Sequence, residues 1–427
     1  MSTREINRRE FITKCSIKLS GASLFLSQYG TKPTFGKEKK PQAEKKKEPA
    51  MEYRTLGRTG LKVSVVSHGL AQLKEPAVIF KALDLGINFF DTAHVYQNGN
   101  SEILLGKVLK EYGRKKVFIA SKIPPLFQLQ ENPMEKGPLL EKKVMEEMME
   151  KSLKRLQTDY VDVLFVHDVL DKKWLTNETI LSFLETLKKE GKARFVGVSL
   201  HNRRIFIDVA DQLAKLAFYD VLLAWLNFLS SPEEVGALRK VRKKNIGVVA
   251  MKTQAGGYDD ESTASLSPYQ ATLAWALNQD FVDCAVPGMK NMEELIENVG
   301  AVGKKIRWSD RKILHTYYNS IKHKYCTMCA KCLPSCGNTI DILTINRTLM
   351  YYEGYRDLEQ ARQTYRQLTN RENAYSCINC SSPTCRCING IKIAKRMKFA
   401  HSLFAEEQGQ THILLSLLSA KNSDILP

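Results

Sequence analysis

The chain has 427 residues, 43% of them hydrophobic and 26% charged, and a formal net charge of +18. That length suits one large domain and a small one, and no stretch approaches the roughly 18–20 consecutive apolar residues of a membrane helix. The excess charge sits at the two ends, with 12 Lys and Arg against 5 Asp and Glu in residues 1–50 and 13 against 5 in residues 321–400; no aromatic-studded basic face accompanies it, which argues against a nucleic-acid partner.

Residues 1–30 begin with Asn7-Arg8-Arg9-Glu10-Phe11-Ile12-Thr13-Lys14 and continue into a weakly apolar run through Ile17, Leu19 and Leu24 to Leu26. Paired arginines followed by Phe and Lys resemble a twin-arginine export signal, which carries folded proteins and implies a periplasmic location. The alternative is a basic leader on a cytoplasmic protein. Residues 31–50 are a charged, Pro-containing linker expected to stay solvated.

From Met51 to Val302 the texture changes. MEYRTLGRTGLKV, residues 51–63, reads as a hairpin turning at Gly57 and Gly60. Short Val/Ile/Phe-rich blocks follow, predicting strands at 62–69, 86–93, 116–123, 160–169, 193–200, 219–228, 246–253 and 283–289. Amphipathic segments at 76–85, 101–113, 139–156, 177–190, 203–213, 232–244, 268–278 and 292–302 predict the intervening helices. Eight strands and eight helices over about 250 residues is the count of a TIM (β/α)8 barrel. A Rossmann domain would also alternate, but no G-x-G-x-x-G follows the first strand. Residues 303–324 predict a connecting helix, 325–404 a small α-helical, cysteine-rich domain, and 405–427 a tail without a clear signal.

Chemistry in such a barrel sits at the carboxyl ends of the strands. The polar residues there are Asp91 (GINFFDTAHVY), with Tyr96 five residues on, then Lys122 (KVFIASK), His167 (VDVLFVHD) and Ser199 (ARFVGVS). The family resemblance given below implies hydride addition to a carbonyl, whose oxygen must also gain a proton. A tyrosine beside an ammonium is a fitting acid, because the cation stabilises phenolate and lowers a pKa that is otherwise near 10. Asp91 would hold Lys122, and His167 would hydrogen-bond the carbonyl oxygen.

Residues 51–302 resemble the aldo/keto reductases: the Asp, Tyr, Lys and His occur in order, and LGRTGLKVS, DTAHVY and GNSEILLGKVL match as well. The resemblance implies NADP or NAD as cofactor and a small carbonyl or alcohol substrate. It also implies cofactor contacts at Ser199 (nicotinamide amide) and at Glu297 and Asn298 (adenine). Several positions depart from the family pattern. Leu200 stands where Asn is common, Leu223 where Gln is common, and Met251, followed by Lys252, where an aromatic stacks on nicotinamide. Gly288 and Glu294 replace the Lys and Arg that grip a 2′-phosphate, and Glu294 would repel that group, so the choice between NADP and NAD stays open.

Eight of the ten cysteines fall between Cys326 and Cys387, a crowding that points to a metal or cluster site. Cys326-x2-Cys329-x2-Cys332-x3-Cys336 has the spacing of bacterial ferredoxins that bind a 4Fe–4S cluster, whose fourth ligand often comes from the other motif. Cys377-x2-Cys380-x4-Cys385-x-Cys387 is less regular. By count, eight thiolates suit two 4Fe–4S clusters; one cluster, a four-thiolate zinc site or disulfides are the alternatives. The basic tail would offset the charge of an anionic cluster. A subset of bacterial aldo/keto reductases resembles the whole layout. The expected function is an oxidoreductase whose barrel moves hydride while the clusters pass single electrons, with an electron-transfer protein as a possible partner. The alternative is a cluster-carrying subunit with a degenerate barrel.

Overall fold

The computed structural model describes residues 49–128, 136–258, 266–308, 310–337 and 339–405. The twin-arginine-like leader, the charged linker up to residue 48 and residues 406–427 lie outside them. No helix among the described residues is long and apolar enough to cross a membrane.

The hairpin expected at 51–63 is present. Strand β1 (Tyr53–Thr55) pairs antiparallel with β2 (Lys62–Ser64) around a single 3-10 turn. Gly57 in that turn has φ +48, and a Cβ there would meet the Gly247 backbone nitrogen at 2.2 Å. Only glycine lets the hairpin press so closely on the barrel floor. The Gly57 amide donates to Asp283 Oδ2 at 3.1 Å, and Leu56, Leu61 and Val63 fill the barrel interior beside Phe89, Val163 and Phe165.

Chain order then gives β3 (His68–Gly69), α1 (Pro76–Asp84), β4 (Phe89–Asp91), α2 (Asn100–Tyr112) and β5 (Phe118–Ile123). A side hairpin of β6 (Leu126–Gln128) and β7 (Lys136–Leu139) precedes α3 (Lys142–Leu156) and β8 (Val161–Val166). Next come α4 (Glu178–Lys189), β9 (Ala193–Leu200), α5 (Phe206–Leu213), β10 (Val221–Trp225) and α6 (Pro232–Lys243). The barrel ends with β11 (Gly247–Met251), α7 (Pro268–Leu277), β12 (Cys284–Ala285) and α8 (Met292–Val299). The parallel order β3-β4-β5-β8-β9-β10-β11-β12 closes through bridges Val66–Ala285 and Gly69–Gly288. The strand predicted over 62–69 is therefore two elements, β2 on the floor hairpin and β3 in the barrel, because the chain must turn between them.

Beyond the barrel lie α9 (Asp310–Ile321), α10 (Ile342–Glu353), α11 (Leu358–Arg366), α12 (Tyr375–Ile378) and α13 (Ile393–Phe404). The connecting helix is shorter than expected, and the small domain expected to be α-helical over 325–404 is a set of short helices, two of them separated at Gly354. These helices do not stand apart from the barrel. The described residues form one compact unit, and Trp225, Ala255 and Tyr258 from the barrel mouth share an apolar core with Tyr317, Tyr325, Leu349 and Met397. Burying each large side chain contributes about 1.5–3 kcal/mol, so this seam is a substantial part of the fold. The approach is tight: a Cβ on Gly354 would meet Gly256 O at 2.1 Å.

Candidate active site

β4 and β5 lie side by side and end at the same mouth. Lys122 Nζ donates to Asp91 Oδ2 and to Thr92 O, each at 2.7 Å, and both side chains are buried. Burial lowers Lys122 and raises Asp91, while their contact opposes both shifts. The same ammonium lies 4.5 Å from the centroid of the Tyr96 ring, and Tyr96 meets His167 edge-on with centroids 5.8 Å apart. The structure thus brings together the four side chains singled out at the strand ends.

The expected lowering of Tyr96 by Lys122 is not found. Burial, then the Asp91 carboxylate, push the phenol well above the ordinary tyrosine value. Lys122 approaches the ring face and directs two hydrogens to Asp91 and Thr92, so it does not favour phenolate. Tyr96 is held as a protonated donor. His167 is pushed down to about 3 by burial, then by Lys122 and Arg347, and is a neutral imidazole near pH 7.

The loop carrying Tyr96 is pinned on two sides. Gln97 Nε2 donates to Ala71 O at 3.1 Å and to Leu73 O at 2.7 Å. Arg155 Nη1 donates to His94 O at 2.9 Å and to Glu102 Oε2 at 3.2 Å, and Glu102 also accepts from Ser121 Oγ at 2.7 Å. Gly99, at φ +90, leaves room for that guanidinium; a Cβ would sit 2.3 Å from Arg155 Cζ. The GNSE segment is therefore the clamp that fixes the acid.

A cleft of about 1610 Å³ opens above these groups. Met251, Lys252, Gly288, Glu297 and Asn298 all line it. Ser199 does not: it is fully buried, and its hydroxyl accepts the Asp168 amide at 2.8 Å. Asn298 is already engaged, accepting from Gln254 Nε2 at 2.8 Å and donating to Glu294 O at 2.7 Å. Glu294, expected to repel a 2′-phosphate, is paired with Lys290 at 3.3 Å.

The sequence reading missed the contribution of the tail. α10 crosses the mouth, where Arg347 Nη1 faces Asp168 Oδ2 at 3.6 Å. Lys252 Nζ donates to the Tyr351 hydroxyl at 3.3 Å and lies 4.5 and 4.8 Å from the Tyr351 and Tyr355 ring centroids. Lys290 Nζ donates to Tyr355 O at 3.0 Å. Leu343, Arg347, Tyr351 and Tyr355 recur every four residues, and that helical period was the available signal. His201 lines the cleft with its ring 6.4 Å from His167. His94 meets Ser152 Oγ at 2.9 Å and borders the cleft.

The eight tail cysteines are free thiols. Among the described residues no three His, Cys, Asp or Glu side chains close on a single metal ion. The thiols instead fall into two sets. Cys326, Cys329, Cys332 and Cys387 line one small recess, which Leu343 separates from the cleft. Cys377 is pushed up to about 11 by burial and then by Cys336, Cys385 and Cys380, so those four thiols neighbour one another. Each set takes three cysteines from one motif and its last from the other. Met328 and Ala330 have φ near +60, and the Met328 and Asn389 amides donate to Cys326 Sγ and Cys387 Sγ at 3.4 Å. Alternating left-handed residues turn backbone amides toward one point, which suits an anionic centre.

Comparison with known proteins supports the barrel. A sequence profile described as the aldo/keto reductase family matches residues 73–265. The chain is 29% identical over 293 residues to L-galactose dehydrogenase of Arabidopsis thaliana, covering 59% of this chain and 88% of that protein. It is 31% identical over 223 residues to the oxidoreductase YrpG of Bacillus subtilis, covering 48% of this chain and 68% of YrpG. Among solved structures, an aldo-keto reductase from Bacillus halodurans superposes with a TM-score of 0.52 at 22% identity, covering 62% of this chain and 96% of that one.

Proposed function

Because this chain belongs to the aldo/keto reductase family, we propose that its cleft interconverts a small carbonyl compound and the matching alcohol, and that the tail carries two 4Fe–4S clusters beside it. The family makes it an NAD(P)-dependent oxidoreductase. The observation that carries the finer reading is the meeting of Tyr96, Lys122, Asp91 and His167 at one mouth.

The cleft's residues fit a dinucleotide. Its volume exceeds the several hundred Å³ of an ordinary small-molecule pocket. Buried polar atoms at its base, among them Asp91 Oδ1 and His201 Nδ1, have no partner among the described residues. Met251, Lys252 and Gly288 would lie along the cofactor, and Glu297 and Asn298 at its adenine end. The bound nicotinamide supplies or removes a hydride at the carbonyl carbon. Tyr96 delivers the proton to the carbonyl oxygen and takes it back from the alcohol. His167, neutral, donates a hydrogen bond that orients that oxygen. Lys122 and Asp91 hold the phenol in register. Arg155 and Gln97 keep its loop from drifting.

The two thiol sets support the cluster assignment, since one offers four sulfurs to a single recess with backbone amides aimed at two of them, and the other gathers four neighbouring thiols. Clusters held there would pass electrons singly. An electron-transfer protein would then be the partner at the tail surface. Anaerobic purification with iron and sulfide analysis tests this reading. About eight irons and a brown colour are expected; zinc without colour overturns it.

The commitment of the Ser199 hydroxyl to Asp168 and the crossing of α10 over the mouth favour a second reading, a cluster-carrying subunit with a silent barrel. Titration with NADH and NADPH separates the two: binding of either supports the enzyme, and binding of neither supports the carrier.

A further inference from the structure

We propose that the substrate of this cleft carries a carboxylate besides its carbonyl or alcohol group, and that Arg347 of α10, supported by Lys252, receives that carboxylate. The inference rests on the reading of the cleft as a hydride-transfer site and names the class of compound it accepts.

The cations at the mouth are unequally paired. Lys122 is answered by Asp91 at 2.7 Å. Arg347 faces Asp168 at 3.6 Å, well outside the 2.7–2.9 Å of a close charge-assisted bond, and Asp341 acts on it from further off. Its Nε, buried from solvent, has no partner among the described residues, and the residue lines the cleft. Lys252 meets a phenol hydroxyl and two ring faces, and no carboxylate pairs closely with it among the described residues. His167 and His201 are neutral near pH 7, so they add no charge of either sign. Arg347 therefore keeps an unengaged Nε toward the cleft, with Lys252 as a second cation nearby. Burying such groups without close partners is costly, and an incoming anion removes the cost.

The geometry of the guanidinium favours a carboxylate. A guanidinium edge presents parallel N–H groups that match two coplanar oxygens. Arg347 stands over Asp168, the residue after His167, so the anion it binds would share one substrate with the carbonyl held by His167 and Tyr96. The tail thus becomes a specificity element of the barrel, contributing the side chain that selects acids over neutral aldehydes.

Calorimetry with 4-carboxybenzaldehyde and 4-methylbenzaldehyde, in the presence of NADP+, tests the proposal on the intact holoprotein. The acid is expected to bind at least ten-fold more tightly than the neutral aldehyde. Arg347→Met should weaken the acid about ten- to hundred-fold, as expected for loss of a charged hydrogen-bond pair, and the neutral compound by less than three-fold. Arg347→Lys should fall between. If Arg347→Met does not fold, the charge-balanced double variant Arg347→Met/Asp168→Asn replaces it. No measurable binding of the acid, equal binding of the two aldehydes, or a preference that survives loss of Arg347 overturns the proposal. So does an Arg347 variant that weakens NADP+ as strongly as the acid, since the guanidinium would then serve the cofactor. Turnover of 4-methylbenzaldehyde by wild type reports separately on hydride transfer, so failure of that reading is seen on its own.

Discussion

At the scale of single residues, Tyr96 decides whether the cleft reacts. Removing its hydroxyl in Tyr96→Phe leaves the ring against Lys122 and His167, so the fold should persist while kcat falls about 10²- to 10⁴-fold, as for loss of a general acid. Steady-state rates together with a urea midpoint check both halves of that statement. The buried imidazoles set the acid limit of stability. Burial pushes His68 down to about 4 and His167 to about 3, and burial followed by Arg155 and Lys151 pushes His94 down to about 4. The unfolded chain takes up these protons near pH 6.5, whereas the folded chain resists until pH 3–4. Their contribution to stability is therefore complete above pH 6.5 and is lost as pH falls toward 3–4. Urea midpoints should decline from pH 7.5 to pH 5. His68→Gln, which keeps a donor for Met289 O, should flatten the decline.

At the scale of elements, α10 is where barrel and tail meet most closely. Gly354→Ala forces a methyl onto Gly256 O and should cost about 1–3 kcal/mol, measured by chemical unfolding. The barrel elements were readable because strands buried on both faces are unbroken apolar blocks, and polar residues ending them stand out. Asp91, Lys122 and His167 were legible for that reason. The split between β2 and β3 was not, since one apolar run serves two packing partners. Arg347 and Tyr351 escaped because their contacts lie far away in sequence, and nothing within α10 names the neighbour it packs against. The direction in which the Tyr96 pKa moves was misjudged because residue types reveal neither how deeply the phenol is buried nor which part of the ring the ammonium approaches.

At the scale of the molecule, the crossing of cysteines between motifs makes a test of the cluster assignment. Cys329→Ser/Cys387→Ser, in one set, should leave about four irons of the eight expected from two four-iron clusters, whereas Cys329→Ser/Cys336→Ser, in one motif but two sets, should leave almost none. Iron counts that instead group by motif would show that the sets are not crossed. The seam between barrel and tail extends the point beyond ligands. Trp225 and Tyr258 are shielded from water by Tyr317, Tyr325 and the helices that follow. If the proposed clusters hold the tail in place, a chain that failed to assemble them would present a greasy crown on an otherwise finished barrel, and starvation for iron should then surface first as precipitation and proteolysis.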